Sequence, residues 1–316
     1  MAFYRLDRAM GAILEDRIRS LESDGRPGLG SQLSVCWIRY DRSLIGTADA
    51  LSGPPAFWAD APAGVSWRGD QAIYPASVVK LFVMVGVEAW LQRRLIEDSA
   101  ELRRAMADMI GDSSNDATSL LVDVLSGTTS GPELAEAPLR TWIAQRQLLN
   151  QWFAGLAWPE LTGCNICQKT WGDGPYGRER QFYGPALENR NRLTVEATAR
   201  LLHAIMAGSC VSPPASARMR QLLRRSLDSA DRRADPENQV DGFLGEGLAA
   251  GAKLWSKAGW MSQARHDAAY VESEGHHPFL LVAFSEGAER ATDQTLLPAL
   301  ASALSEACRT ECRPSS

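Results

Sequence analysis

A serine and a lysine three positions apart are the residues of this sequence best placed to do covalent chemistry. Ser77 and Lys80 begin an apolar run that continues to Leu91 and predicts a buried helix. Residues i and i+3 share one face of a helix, so the Lys80 amine can reach the Ser77 hydroxyl. A serine becomes a good nucleophile when a base takes its proton, and burial or a nearby cation can lower the pKa of a lysine enough for this role. The alternative is a serine that caps the helix and a lysine that points to solvent.

Two further motifs carry groups that could act on a substrate. Ser113 and Asn115 lie in a polar turn between two predicted helices, where a hydroxyl could relay protons and a carboxamide could hold a substrate amide. The alternative for this turn is simple helix capping by Ser113 or Ser114. Lys257 and Gly259 lie on a predicted strand, where the lysine could bind a carboxylate and the glycine could let a substrate approach the strand edge.

The elements that must position these motifs predict an α+β fold. We expect a helix to about Ser23, a strand over 32–40, a loop over 52–60, three strands over 252–260, 265–271 and 278–284, and a last helix over 292–308. The middle is helical over 77–95, 98–110, 114–126, 137–155, 194–208 and 214–226, with a long loop over 158–192. The predicted architecture is an antiparallel sheet from both chain ends, flanked by the terminal helices, with an inserted all-helical part. We expect residues 1–74 and 227–316 to form the sheet part and residues 75–226 to form the helical part.

Composition excludes several function classes. The net charge of −5 and the absence of Lys/Arg runs with interleaved aromatics argue against nucleic acid as a partner. No stretch reaches the ~18 uncharged apolar residues of a membrane helix. Charges recur every three or four residues from Met1 to Met10, where a secretory signal needs an apolar core. We therefore expect a cytoplasmic protein without a membrane partner.

The cysteines and histidines point away from metal and triad chemistry. The six cysteines include Cys164 and Cys167 at C-x-x-C spacing, and Cys308 and Cys312 one turn apart. The two pairs lie in segments of different character, so we interpret them as reduced thiols and expect no metal site. Four histidines occur and no G-x-S-x-G motif is present, which makes lysine a better candidate base than histidine.

In their order along the chain, S-x-x-K, S-x-N and K-x-G resemble the motifs of the penicillin-recognising serine enzymes, specifically the class A serine β-lactamase family. The resemblance extends from the strand near Gln32 to the C-terminal helix. It implies that Ser77 accepts the acyl group, with Lys80 as its base. It also implies that Ser113 relays a proton to the leaving nitrogen and that Asn115 holds the substrate amide.

The resemblance extends to the groups that would bind the rest of the substrate. Lys257 would bind the substrate carboxylate, and the backbone N–H groups of Ser77 and Trp260 would form the oxyanion hole. No cofactor is implied. The expected substrate is a β-lactam or a related amide, bound by a protein that we expect to be a monomer.

The sequence departs from the family pattern at two places. No loop glutamate is followed four residues later by the asparagine of the family's deacylation motif. Glu179 is the best candidate for that base, although an ion pair with Arg178 and Arg180 is the alternative. Ala258 lacks the hydroxyl that shares the substrate carboxylate, and Arg265 could replace it or could face solvent. Both departures leave acylation intact, so we expect slow deacylation.

Three other functions stay open at this point. A D-alanyl peptidase or esterase would use the same chemistry, and a cytoplasmic amidase such as a glutaminase has a similar fold and S-x-x-K motif. A binding module with a vestigial site is the alternative from outside the enzymes. The full set of polar motif residues argues against this last function, because a protein that only binds has no need of them.

Overall fold

A seven-stranded sheet carries the fold in the computed structural model, which describes residues 3–45, 47, 61–172 and 174–310. The predicted loop over 52–60 and Cys312 lie outside these residues. The strands are β1 (Arg5–Leu6), β2 (Leu33–Arg39), β3 (Ala63–Trp67), β4 (Arg224–Arg225), β5 (Lys253–Met261), β6 (Ala264–Glu272) and β7 (Phe279–Glu286). Their order across the sheet is β1-β3-β2-β7-β6-β5-β4. β1 and β3 pair parallel, and the other neighbours are antiparallel.

Alternating side chains of the sheet enter two different cores, as the period of a strand requires. On β2, Val35 and Trp37 belong to the core on one face, and Cys36 and Ile38 belong to the core on the other. β5, β6 and β7 are buried almost along their whole length, because helices cover both faces.

The helices divide between these two faces. They are α1 (Arg8–Ser23), α2 (Leu29–Gln32), α3 (Lys80–Gln92), α4 (Ala100–Gly111), α5 (Asn115–Ser126), α6 (Glu136–Arg146), α7 (Leu148–Ala154), α8 (Gly177–Tyr183), α9 (Val195–Ala207), α10 (Pro213–Leu223), α11 (Ser229–Ala234), α12 (Ala288–Thr292) and α13 (Leu296–Glu306). α1 places Met10, Leu14, Ile18 and Leu21 on one stripe that packs in the same core as α13. The larger core on the opposite face takes apolar residues from α3, α4, α5, α9 and α10.

The predicted α+β fold is confirmed, with local differences. The helix expected over 137–155 is two helices, α6 and α7, and the helix expected over 214–226 ends at Leu223. The next two residues form β4, which pairs with β5 although it lies before the predicted boundary at 227. The division into two parts stays a prediction. β3 was not expected, because it is short and contains Gly64, whose position leaves no room for a Cβ beside Ile38 and Tyr4.

Within the described ranges, no helix has both the length and the apolar character that crossing a membrane requires.

Candidate active site

Ser77 lies on a tight turn that packs directly against β5. A short 3₁₀ helix, Ala76–Val79, precedes α3, and Ala76 has a positive φ of 46°. A Cβ on Gly259 would lie 2.9 Å from the Ser77 nitrogen and 3.0 Å from the Pro75 carbonyl oxygen. Gly259 was expected to make room for a substrate, and the structure shows that it also makes room for the turn that carries Ser77. Among the described residues, neither the hydroxyl nor the amide of Ser77 has a hydrogen-bond partner.

Lys80 is fully buried at the start of α3, and its amine points to the turn before α5. Its Nζ donates to the carbonyl oxygen of Ser113, to Ser113 Oγ at 3.2 Å and to Asn115 Oδ1 at 2.9 Å. Burial lowers the pKa of this lysine to about 7. The structure shows no hydrogen bond between Lys80 and the Ser77 hydroxyl, so the contact predicted from their spacing is not made here.

Ser113 receives hydrogen bonds from two lysines. Its Oγ accepts from Lys80 and, at 3.0 Å, from Lys257, which leaves its own O–H free to donate. The residue has a positive φ of 56°, a conformation that non-glycine residues rarely adopt. Capping of α5 is done by the neighbouring Ser114, whose hydroxyl accepts from Ala117 N. The capping alternative therefore applies to Ser114 and not to Ser113. We call Lys80, Ser113, Asn115 and Lys257 the lysine cluster.

Lys257 has no surface exposed to the cleft. Its Nζ donates to Ser113 Oγ, to the Ala258 carbonyl oxygen at 2.7 Å and to the side-chain oxygen of Gln239. Burial, then the nearby charges of Lys80 and Arg225, hold the pKa of Lys257 well below its ordinary value. All three of its N–H groups are used within the protein. The structure therefore places Lys257 behind Ser113, where its charge acts on the site without a free donor for a carboxylate.

The free edge of β5 presents backbone N–H groups to the site. The Ala258 amide points away from β6, because it donates to the Gln239 side chain at 3.3 Å. Amides two residues apart on a strand point to the same side, so the Trp260 N–H faces this edge as well. Trp260 follows Gly259, which lies against Ser77. The backbone N–H groups of Ser77 and Trp260 are thus both available to a ligand beside Gly259.

An open cleft of about 420 Å³ connects these groups. Ser77, Ser113 and Asn115 line one side, and Ala258, Gly259 and Trp260 line the edge of β5. Asn115 uses its side-chain oxygen for Lys80, so its amide nitrogen is left for a ligand.

Arg265 also lines this cleft and does not point to solvent. It lies opposite Trp260 across the hairpin, and its guanidinium donates to the carbonyl oxygens of Ala291 at 2.9 Å and Gly242 at 3.2 Å. The guanidinium lies over the ring of Phe243, 4.9 Å from its centroid. Nη2 makes no hydrogen bond to any residue in the described part of the chain, so a cationic donor is available to an anion in the cleft.

Glu179 is not brought together with Ser77. Its carboxylate, on α8, accepts from Arg146 at 2.7 Å and from the Ser130 hydroxyl at 2.8 Å, and Lys169 lies 3.7 Å away. Only 2% of the Glu179 side chain is exposed, and the residue does not line the cleft. Glu179 therefore forms an ion pair, as the alternative interpretation proposed, but its partner is Arg146 and not the flanking Arg178 or Arg180. We call Asp123, Ser130, Arg146, Lys169 and Glu179 the loop network.

The long loop reaches α5 without placing any of its described carboxylates in the cleft. Ser119 on α5 donates to the carbonyl oxygen of Thr170 at 3.4 Å. Lys169 turns toward Asp123, which accepts at 2.6 Å. None of the described acidic residues of the loop lines the cleft.

The sequence did not reveal Gln239, which contacts both Lys257 and the end of α4. No motif surrounds it, and its partners on α4 are more than one hundred residues away. None of the described cysteines lines the cleft, and Cys164 and Cys167 are free thiols. In the described ranges, no group of His, Cys, Asp and Glu side chains is arranged to hold a metal ion.

Comparison with known proteins settles the family. The model of the beta-lactamase enzyme family matches residues 89–308. The chain belongs to this beta-lactamase family. The family predicted from the three motifs is thereby confirmed, and the protein is a hydrolase of the β-lactamase type. No curated protein showed significant similarity to the sequence.

Solved structures of beta-lactamases and of PBP-A share the fold. A beta-lactamase from Sphaerobacter thermophilus is 15% identical, with a TM-score of 0.61 over 94% of this chain and 97% of the other. One from Xanthomonas campestris is 16% identical, with a TM-score of 0.58 over 93% and 97%. PBP-A is 16% identical, with a TM-score of 0.60 over 96% and 97%. At these identities the likeness describes the fold alone.

Proposed function

We propose that this protein is a serine hydrolase that opens β-lactams or related amides through an acyl-enzyme on Ser77 and releases the product slowly. The observation that carries the proposal is the position of Ser113. Its hydroxyl joins the two buried lysines and lies in the same cleft as the Ser77 hydroxyl and the open edge of β5. A ligand-binding protein has no use for two buried lysine amines on one hydroxyl, since burying each of them costs desolvation free energy.

These groups can carry out every proton transfer that acylation needs. Neutral Lys80 takes the proton of the Ser77 hydroxyl, and Ser77 Oγ bonds to the carbonyl carbon of the amide. The carbonyl oxygen becomes an oxyanion between the N–H groups of Ser77 and Trp260, donors that are worth roughly 3 kcal/mol each in such sites. The carbon–nitrogen bond then breaks while Ser113 gives its proton to the nitrogen. Ser113 regains a proton from the Lys80 ammonium.

Substrate recognition uses three groups around the reacting atoms. The Asn115 amide nitrogen binds the carbonyl of the substrate side chain. Arg265 binds the carboxylate of the leaving portion, taking the role for which Ala258 lacks a hydroxyl. Lys257 raises the positive potential from behind Ser113, which favours both the anion and the neutral form of Lys80.

Slow release follows from what the cleft lacks among the described residues. Its acidic lining residues are Glu237 and Asp241, which lie in the segment that leads to Lys257 and Arg265 and not on the long loop. Glu179, the predicted base, is bonded to Arg146 outside the cleft. An attacking water therefore meets no carboxylate from the loop side.

A D-alanyl peptidase is the second candidate, and the same absence favours it. An enzyme without a base for water keeps its acyl group long enough for other acceptors. A solved variant of PBP-A is an acyl-enzyme complex with penicillin G, and its fold is shared over 96% of this chain with a TM-score of 0.61. The link to this protein rests on the fold and on the absence of a loop carboxylate among the described residues that line the cleft.

Mass spectrometry of the intact protein tests the proposal. We expect one added penicillin mass, located on Ser77 by peptide mapping, and no addition to a Ser77→Ala variant. Release of D-alanine from a peptide ending in two D-alanines, measured beside hydrolysis of a chromogenic cephalosporin, separates the two candidates. Equal behaviour of wild type and Ser77→Ala with both substrates would refute both.

A further inference from the structure

Gln239 is a buried side chain with all four of its hydrogen-bonding positions used at the active site. Its Oε1 accepts from Lys257 Nζ and from the Ala258 amide, and its Nε2 donates to the carbonyl oxygens of Ile110 and Gly111. Only 6% of the residue is exposed. Two donors on one end and two acceptors on the other fix the orientation of the amide, because a flipped side chain would face like groups.

The contacts of Gln239 join the two halves of the site. Ile110 and Gly111 end α4, two residues before Ser113, and Lys257 lies on β5. We propose that Gln239 is the positioning residue that holds Lys257 against Ser113 and so keeps the proton relay assembled. Since this role concerns the same cleft, it rests on the proposed function for its meaning in catalysis.

A neutral acceptor suits this place better than a carboxylate. The charged groups around Lys257 are Lys80 from α3, Arg225 from β4 and Asp267 from β6. Gln239 gives the ammonium an oxygen without adding a charge, so the positive potential at Ser113 is kept. Arg225 donates to Ile110 at 2.6 Å as well, so the end of α4 keeps a partner when Gln239 is changed.

The lysine content makes a direct test possible. The chain has four lysines, Lys80, Lys169, Lys253 and Lys257, so ¹³C-lysine NMR gives few signals that lysine-to-arginine variants can assign. We expect Gln239→Glu to raise the pKa of Lys257, because a carboxylate at Oε1 favours the ammonium. Gln239→Met has a similar volume and no acceptor, and should lower this pKa. Lys253, exposed at the start of β5, should not change, and neither should any signal in Gln221→Glu, an exposed control with the same charge change.

Acylation by penicillin gives the second readout. We expect Gln239→Met to slow Ser77 acylation by about tenfold, the loss of one hydrogen bond to a charged group. The lysine titration needs no substrate, so it reports on Gln239 even if the wild type does not react with penicillin. Lys257 titrating alike in all three proteins would overturn the proposal. So would unfolding of both variants, detected by circular dichroism, since Gln239 would then serve the fold and not the site.

Discussion

The lysine cluster and the loop network are both buried and polar, but their charges are balanced in different ways. In the loop network each carboxylate is bonded by a cation: Glu179 by Arg146, and Asp123 by Lys169. In the lysine cluster two lysine amines donate to Ser113, and among the described residues no carboxylate bonds to either. Removing one partner of a buried ion pair destabilises a fold, whereas burial without a counter-charge displaces a pKa toward a value useful for proton transfer. We therefore propose that catalysis takes place at the lysine cluster and that the loop network has a structural role.

Lys80→Met is the strongest test of the role proposed for the lysine cluster. The variant keeps most of the length of the side chain and removes the base. A general base contributes roughly 10²–10⁴-fold, so acylation of Ser77 by penicillin should fall by at least two orders of magnitude. Stopped-flow or quenched-flow mass measurement gives the rate. A loss of less than tenfold in a folded variant would show that another group takes the proton.

The pH dependence of acylation tests whether Lys80 is the base. Because the pKa of Lys80 is about 7, the rate should rise about tenfold per pH unit below 7 and level off above it. The residual rate of Lys80→Met should lack this limb. That control separates the lysine from Asp267, whose carboxyl pKa burial also raises to about 7.

Stability should follow the sign of the same shift. Between about pH 7 and 10.5 the folded protein binds fewer protons at Lys80 than the unfolded chain does, so the contribution of Lys80 to the free energy of unfolding rises with pH across this window. Below pH 7 this contribution is constant. Denaturant titrations of wild type and Lys80→Met measure it, and an equal pH dependence in the two proteins would contradict the assignment.

Arg265→Met tests the part of the cleft that meets the substrate anion. We expect about a tenfold loss of acylation efficiency with penicillin G, the size of one hydrogen bond to a charged group. With the methyl ester of penicillin G, which has no carboxylate, the variant and the wild type should react alike. The same loss with both compounds would assign Arg265 to packing against Phe243 and Trp260.

The sequence predicts Ser77 and the lysine cluster well because these residues lie in short motifs. Ser77 and Lys80 are one helical turn apart, and Ser113 and Asn115 share a turn, so local spacing carries the information. Glu179 shows the limit: the sequence displays its neighbours Arg178 and Arg180, but its partner Arg146 comes from α6, 33 residues earlier. Gln239 is invisible for the same reason, because its contacts with Ile110 and Gly111 span about 130 residues.

Glu179→Gln should have the smallest effect on catalysis and a clear effect on stability. Removing one charge of a buried pair costs about 3–5 kcal/mol in typical cases, and the free energy of unfolding should fall toward that range. The acylation rate of the folded variant should stay within twofold of the wild type. A selective loss of product release would instead place Glu179 in the reaction.

The most direct test of the account is the lifetime of the acyl-enzyme. Wild type is mixed with one equivalent of penicillin G and followed by intact-mass spectrometry, with Ser77→Ala as the control. We predict that the adduct on Ser77 forms fast and then persists, because the loop network holds its carboxylates away from the cleft. An adduct that clears as fast as it forms, or no adduct on Ser77 at all, would contradict the account.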